Sequence, residues 1–96
     1  MRDIVLSPRA EADLEEIWDY TVARWSEDRA ERYIRDIWQA IGTVGDKPDI
    51  GLPCDDVRLG YRKYRVGSHV LFFRDTGTAI DIVRILHQRM DFGRHL

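Results

Sequence analysis

The way hydrophobic periodicity changes along this 96-residue chain predicts an α+β fold of order β-α-α-β-β-β, a helix hairpin packed on one face of a mainly antiparallel sheet. Three observations carry the prediction. A short apolar run precedes a Ser-Pro pair, two helical stripes follow with one serine between them, and beyond residue 56 the pattern switches to strand-like runs broken by glycine-containing turns.

Asp3 to Leu6 reads as the first strand, with Ser7 as a helix N-cap and Pro8 at the first helical position. Ala10, Leu14, Ile17, Trp18, Thr21 and Trp25 then form one stripe of an amphipathic helix, opposite Glu11, Glu15, Glu16 and Asp19. Ser26 is placed to cap a second helix, whose first turn holds Glu27 and Asp28 at the positive end of the helix dipole. The stripe of that helix is Ala30, Tyr33, Ile34, Ile37, Trp38 and Ile41, and a break at a single serine makes the two helices an antiparallel hairpin. Gly42 and Gly45 are expected to end the second helix, and residues 46–56, with Pro48, Gly51 and Pro53, read as an ordered loop.

Val57 to Val66 alternates as a strand does, and Gly67-Ser68 fits a two-residue hairpin turn. His69 to Arg74 is the next strand, apolar on both faces, and Ala79 to His87 is the last, its Ile and Val run pointing to a central place in the sheet. Met90 to Leu96 is a short tail. A helix hairpin returns the chain to the end of the sheet it left, so the strand of residues 57–66 is expected antiparallel to the first. The first strand can pair with the second or with the fourth.

A chain of this length is expected to form one domain, residues 1–96. Hydrophobic residues make up 44% and charged residues 33%, which suits a globular chain. The N-terminal residues lack a signal-peptide core and no segment is apolar enough to span a membrane, so a cytoplasmic address without membrane association is expected. Cys54 is the single cysteine, which excludes an internal disulfide, and with no histidine near it in sequence it reads as an incidental thiol.

Charge is segregated. Residues 1–57 hold fourteen acidic and seven basic residues, a balance of −7, whereas residues 58–96 hold three acidic and eight basic, a balance of +5. A basic half on an acidic one suggests that its strands meet an acidic partner. Arg62, Arg65 and Arg84 are the focus, expected near one end of the sheet. Each can serve a partner or an internal ion pair, for which Asp81, Asp56 and Asp91 are the candidate acids. Tyr61, Tyr64 and Phe92 have the amphipathic character of interface residues or of a core rim. Trp18, Trp25 and Trp38 are assigned to the core. His87, at a strand end, reads as a histidine held by backbone or by Asp91, with acid–base chemistry as the alternative. No second ligand stands at metal spacing beside it, and neither metal nor cofactor is expected.

Three local patterns, in order, resemble those of ParE-type toxins of the RelE/ParE superfamily. They are Ser7-Pro8-Arg9-Ala10 with Asp13-Leu14, Ile17-Trp18 and Tyr20; Gly60-Tyr61-Arg62 with Tyr64; and Ile85-Leu86-His87-Gln88-Arg89-Met90-Asp91. The likeness spans nearly the whole chain. It implies the RelE/ParE-like fold and the toxin half of a type II toxin–antitoxin pair. Such a toxin is held inactive by a ParD-like antitoxin and, when free, stops DNA gyrase by binding, without catalysis. On this reading Arg62, Arg84, His87 and Met90, with Asp91, Phe92 and Arg94 of the tail, contact gyrase. The antitoxin covers the helix-hairpin groove and the basic sheet, touching Arg62, Tyr64, Arg65, Trp25 and Tyr33. No sequence-specific nucleic-acid binding by the toxin alone is expected.

The alternative is the ribosome-dependent mRNA endonuclease activity of RelE-type relatives. That chemistry needs a general base, an acid and cations for the developing charge, roles open to His87, Arg62, Arg65 and Arg84. Two features weigh against it: the chain carries a net charge of −2, and Gln88 follows His87 where those endonucleases place an aromatic residue. A decayed toxin that serves only to complex its antitoxin is a third possibility.

Overall fold

Ser7 joins three elements at once. Its hydroxyl oxygen accepts from the Ala10 N–H at 3.0 Å, capping a helix, while the hydroxyl donates to the Val83 carbonyl at 2.7 Å and the Ser7 N–H to the Ile82 carbonyl at 3.0 Å. In the computed structural model, which describes residues 2–96, this cap anchors the first helix to the last strand. The order is β1 (Asp3–Leu6), α1 (Pro8–Arg24), α2 (Glu27–Asp46), a 3₁₀ turn (Pro48–Ile50), β2 (Leu52–Pro53), β3 (Arg62–Val66), β4 (His69–Asp75), β5 (Ala79–His87) and a one-turn α3 (Phe92–His95). Ser26 caps α2 as expected, accepting from Arg29 N–H at 3.1 Å.

The sheet runs β1-β5-β4-β3-β2. Of the two pairings open to the first strand, the last strand takes it, in parallel, with Asp3 opposite Ala79 and Leu6 opposite Ile82. The other ladders are antiparallel, so the fold is α+β with two helices on a mostly antiparallel five-stranded sheet. β5 lies between β1 and β4, inside the sheet but one place off its middle, which β4 occupies instead of the last strand. β3, however, is parallel to β1, against expectation. The two-residue β2, read from sequence as loop, already takes the returning direction, and the chain reverses again before β3.

That reversal corrects a second boundary. Residues 57–61 are a turn and not strand: Val57 N–H and Arg58 N–H both donate to the Cys54 carbonyl, Cys54 N–H to the Tyr61 carbonyl, and Gly60 N–H to Asp55 Oδ1 at 2.8 Å. The alternation came from Val57 and Tyr61 packing inward beside Leu59, which is 85% exposed. The second helix also runs past Gly42 and Gly45 to Asp46. Gly45 serves proximity, because a Cβ there would lie 2.7 Å from Ile4 Cδ1, where α2 crosses β1. Gly67 has φ +55° in the β3–β4 turn, as a two-residue hairpin requires.

Two apolar clusters lie on opposite faces of the sheet. The larger packs Ala10, Ile17, Ile37 and Ile41 of the helices on Leu71, Phe73, Ile80 and Ile82. The smaller buries Cys54, Val70, Phe72 and Leu86, with Val57, Tyr61, Phe92 and Leu96 against it. Alternation along β4 divides them, and a bulge shifts the register of β5: Phe72 is opposite Arg84 and Phe73 opposite Ile82, so Val83 has no counterpart on β4. Cys54, expected as a loop thiol, is therefore a core residue, and burial raises its pKa and keeps it protonated.

The tryptophans do not fill the core as expected. Trp25 is 59% and Trp38 48% exposed, and Trp18 is half-buried. The face of α1 that meets the sheet is narrow, made of Ala10, Asp13, Ile17 and Thr21. Small residues let the helix lie close, and the large rings flank the contact.

Candidate functional site

β1 has four residues and β5 nine, so β1 ends at Leu6, opposite Ile82. Beyond that point, among the described residues, no strand flanks the outer side of β5. α1 crosses there instead. Asp13, one helical turn after Ala10 and one before Ile17, points its carboxylate at the strand. Its Oδ2 accepts from the Ile85 N–H at 2.9 Å and from Arg84 Nε at 2.9 Å, and its Oδ1 accepts from Arg84 Nη2 at 2.8 Å. The pair is bidentate, with side chains 13% and 8% exposed. Hydrogen bonding to Asp13 raises the pKa of Arg84 further, and Arg84 Nη1 donates to the His95 carbonyl at 3.1 Å. Arg84 thus takes an internal acid that sequence reasoning did not name; Asp81 pairs with Arg74 instead, at 3.2 Å.

Next to this pair, a cleft of about 370 Å³ opens between α1 and the ends of β4 and β5, lined by Glu16, Tyr20, His69, His87 and Met90 among others. A shallower recess continues from it past Arg24, Trp25, Arg29 and Tyr33. His69 and His87 are cross-strand partners, their rings edge to face with centroids 5.3 Å apart. Tyr33 reaches over from α2 to His69 Nδ1, and its oxygen accepts from the Ser68 N–H at 3.0 Å. Burial, and then the neighbouring His87, lower the pKa of His69 to about 4, so its ring is neutral at pH 7. Burial likewise raises the pKa of Tyr33. His87 is held by backbone, its Nδ1 accepting from the Arg89 N–H at 3.1 Å.

The residues expected to bind partners fall in three places. Arg84, His87 and Met90 line the cleft, and Trp25 and Tyr33 line its extension. Trp25 is exposed under the Arg29 guanidinium, 4.3 Å from its ring centroid. The tail lies on the opposite sheet face, where Phe92 packs on Phe72 with ring centroids 4.8 Å apart, leaving Asp91 and Arg94 exposed. β3 carries the rest. Arg62 and Tyr64 face the helices, opposite Phe73 and Leu71, while Arg65 faces away, opposite Val70. The three arginines therefore do not share one surface, because alternation along β3 and the bulge in β5 send them to different sides. Arg62 donates to the Gly51 carbonyl at 2.7 Å and Arg65 to the Gly67 carbonyl at 3.2 Å. Among the described residues neither has a carboxylate partner, so β3 keeps its positive charge for solvent or a partner.

Asp13 and His69 were missed as site residues. Asp13 left a signal, an acid inside an apolar stripe, which needs a buried partner. His69 left none, since a polar residue at a strand start is ordinary. Among the described residues no three His, Cys, Asp or Glu side chains are grouped to hold a metal ion, and no helix is long and apolar enough to cross a membrane.

Comparison with known proteins agrees with this architecture. Residues 4–92 match the family described as ParE toxin of type II toxin-antitoxin system, parDE. The chain is similar to Toxin ParE1 of Mycobacterium tuberculosis, 55% identical over 93 residues covering 96% of this chain and 95% of the relative. Toxin ParE1 of Caulobacter vibrioides is 41% identical over 96 residues, covering 100% and 99%. Among solved structures, the chromosomal ParDE TA system from P. aeruginosa superposes with a TM-score of 0.79 at 24% identity, covering 91% of this chain and 96% of that one. The YoeB/ParE toxin from Agrobacterium tumefaciens gives 0.61 at 20% identity, covering 88% and 96%. Those two likenesses concern the fold. With a family match across most of its length and relatives above 40% identity, the chain belongs to the ParE toxin family of type II toxin–antitoxin systems.

Proposed function

We propose that this toxin acts in the cytoplasm as one domain, residues 1–96, that inhibits DNA gyrase by binding and is silenced by a ParD-like antitoxin. The observation that carries binding over cleavage is the Asp13–Arg84 pair. RNA cleavage develops negative charge on a phosphorane, which needs a cation free to meet it. Arg84, the arginine beside His87 in the cleft, is instead bidentate to Asp13, and Glu16 adds a second carboxylate to the wall. Such a wall disfavours a polyanion and suits a protein surface.

In this reading the gyrase-contacting surface comprises His87 and Met90 at the cleft mouth and Asp91 and Arg94 of the tail, with Phe92 and Arg84 holding that tail in place. Arg62 remains a contact residue through its β3 position. The antitoxin covers Trp25 and Tyr33 beside the cleft and Tyr64 and Arg65 on β3. Purified gyrase supercoiling a relaxed plasmid should slow on addition of the chain, while translating ribosomes programmed with mRNA should show no new cleavage.

The endonuclease reading keeps one observation in its favour, the His69–His87 pair, two imidazoles side by side in a cleft. New mRNA cleavage on ribosomes together with unaffected gyrase would transfer the function to that class. Normal growth on expression of the chain alone would indicate a decayed copy.

A further inference from the structure

The two imidazoles of the cleft are fixed in the same tautomer by different partners. At His69, the Tyr33 hydroxyl lies far closer to Nδ1 than to the Val66 carbonyl, which is 3.4 Å away. A phenol is the stronger donor and an imidazole nitrogen the stronger acceptor, so the proton on the Tyr33 oxygen points to Nδ1. At His87, Nδ1 accepts from the Arg89 N–H. A ring nitrogen that accepts holds no proton, so on this geometry both rings carry theirs on Nε2.

Neither Nε2 is used within the fold. Among the described residues, the one buried side-chain nitrogen or oxygen lacking a hydrogen-bond partner is Arg2 Nε. The two Nε2 atoms have no partner in the chain and are not among its buried unpartnered atoms, so each keeps some access to solvent, and both rings line the cleft. The cleft thus presents two N–H donors, in an otherwise largely apolar lining, with no proton of theirs spent elsewhere.

We propose that His69 and His87 form a two-donor subsite that receives one carboxylate side chain of a bound peptide, and that this peptide is the acidic segment of the antitoxin. The second half of the statement rests on the antitoxin reading above; the first does not. The surrounding charges choose the direction of approach. On the α1 side stand Asp13, neutralised by Arg84, and Glu16; on the extension stand Arg24 of α1 and Arg29 of α2. A carboxylate entering from the arginine side, its own chain lying over the exposed Trp25, meets both donors and stays clear of Glu16. A single carboxylate on an otherwise neutral peptide suits this mixed wall better than the repeated charges of a nucleic acid. Occupancy would also cover His87 of the gyrase-contacting surface, which links antitoxin binding to silencing.

The test has two arms. In the first, glutarate, inorganic phosphate and a short single-stranded RNA are titrated separately into the free chain while the imidazole ¹⁵N resonances are followed. Glutarate should move the Nε2 signals of both histidines together and saturably, and Tyr33→Phe, which releases the tautomer of His69, should weaken that response. Spectra showing either ring protonated on Nδ1 at neutral pH, or no saturable response to glutarate, would overturn the subsite. A stronger response to RNA than to glutarate would do the same and assign the cleft to nucleic acid. In the second arm, affinity for the antitoxin encoded beside the toxin is measured. His87→Leu should weaken it about tenfold, the worth of one charge-assisted hydrogen bond, and His87→Gln, whose amide N–H replaces Nε2–H, should recover most of the loss. Unchanged affinity in His87→Leu would detach the subsite from the antitoxin. No binding of wild-type chain to that antitoxin would defeat the antitoxin reading, with the glutarate arm still deciding the subsite.

Discussion

Asp13 and Arg84, separated by 71 positions in sequence, meet through two hydrogen bonds of 2.9 and 2.8 Å, and the same Asp13 carboxylate also accepts the N–H of Ile85. One side chain therefore ties α1 to β5 and satisfies a backbone donor that β1 is too short to reach. Asp13→Ala should cost about 3–5 kcal/mol, because it leaves a mostly buried guanidinium and an amide unpaired. Replacing both partners, Asp13→Leu with Arg84→Met, should cost clearly less than Asp13→Ala alone. Urea unfolding of the three proteins measures the difference.

Stability should fall as the solution is acidified through the range set by His69. Its folded pKa is lowered from 6.5 to about 4, so below pH 6.5 the unfolded chain binds a proton that the folded chain refuses. The contribution is complete above pH 6.5 and is lost progressively as pH falls towards 4. The loss amounts to roughly 1–2 kcal/mol once solvent screening of a half-buried ring is allowed for. His69→Gln should flatten that part of the curve, which urea midpoints between pH 7 and pH 4 would reveal.

Trp25 should separate folding from binding. It is 59% exposed and leans on Arg29 at the helix junction, so Trp25→Ala should change stability by no more than about 0.5–1 kcal/mol. Antitoxin affinity should fall about tenfold or more, as expected for a tryptophan anchor. Calorimetric titration beside thermal unfolding gives both numbers from one preparation.

Phe92 should behave in the opposite manner. Its ring closes the smaller apolar cluster over Phe72, and Phe92→Ala should lower stability by about 2 kcal/mol, less than for a fully buried ring. Hydrogen exchange should then rise along α3 and the 54–61 turn before it rises in the helices.

Much of this architecture is legible in the sequence because it rests on local chemistry. Ser7-Pro8, Ser26 and Gly67-Ser68 mark helix starts and a turn through interactions that span a few residues, and β1, β4 and β5 keep their expected places to within a residue. What the sequence hid depends on distance. The partner of β1, the two-residue β2 and the direction of β3 are decided by how layers stack, and Gly45 looked like a helix end because its close neighbour, Ile4, lies 41 positions earlier. The site was hidden for the same reason. Arg84 could be recognised as a charge in an apolar strand, yet its acid lay on another element, and the pairing of His69 with His87 depends on a register that residue types do not display.

The mismatch in length between β1 and β5 carries one more consequence. An uncovered flank on a strand is a template onto which a neighbouring molecule's backbone can zip. Here a helix crosses the gap and plants a carboxylate on the first amide that such a newcomer would claim. The place of a sixth strand is already taken by a charged guard, so the Ile85 amide on that seam is not free to pair with an approaching backbone.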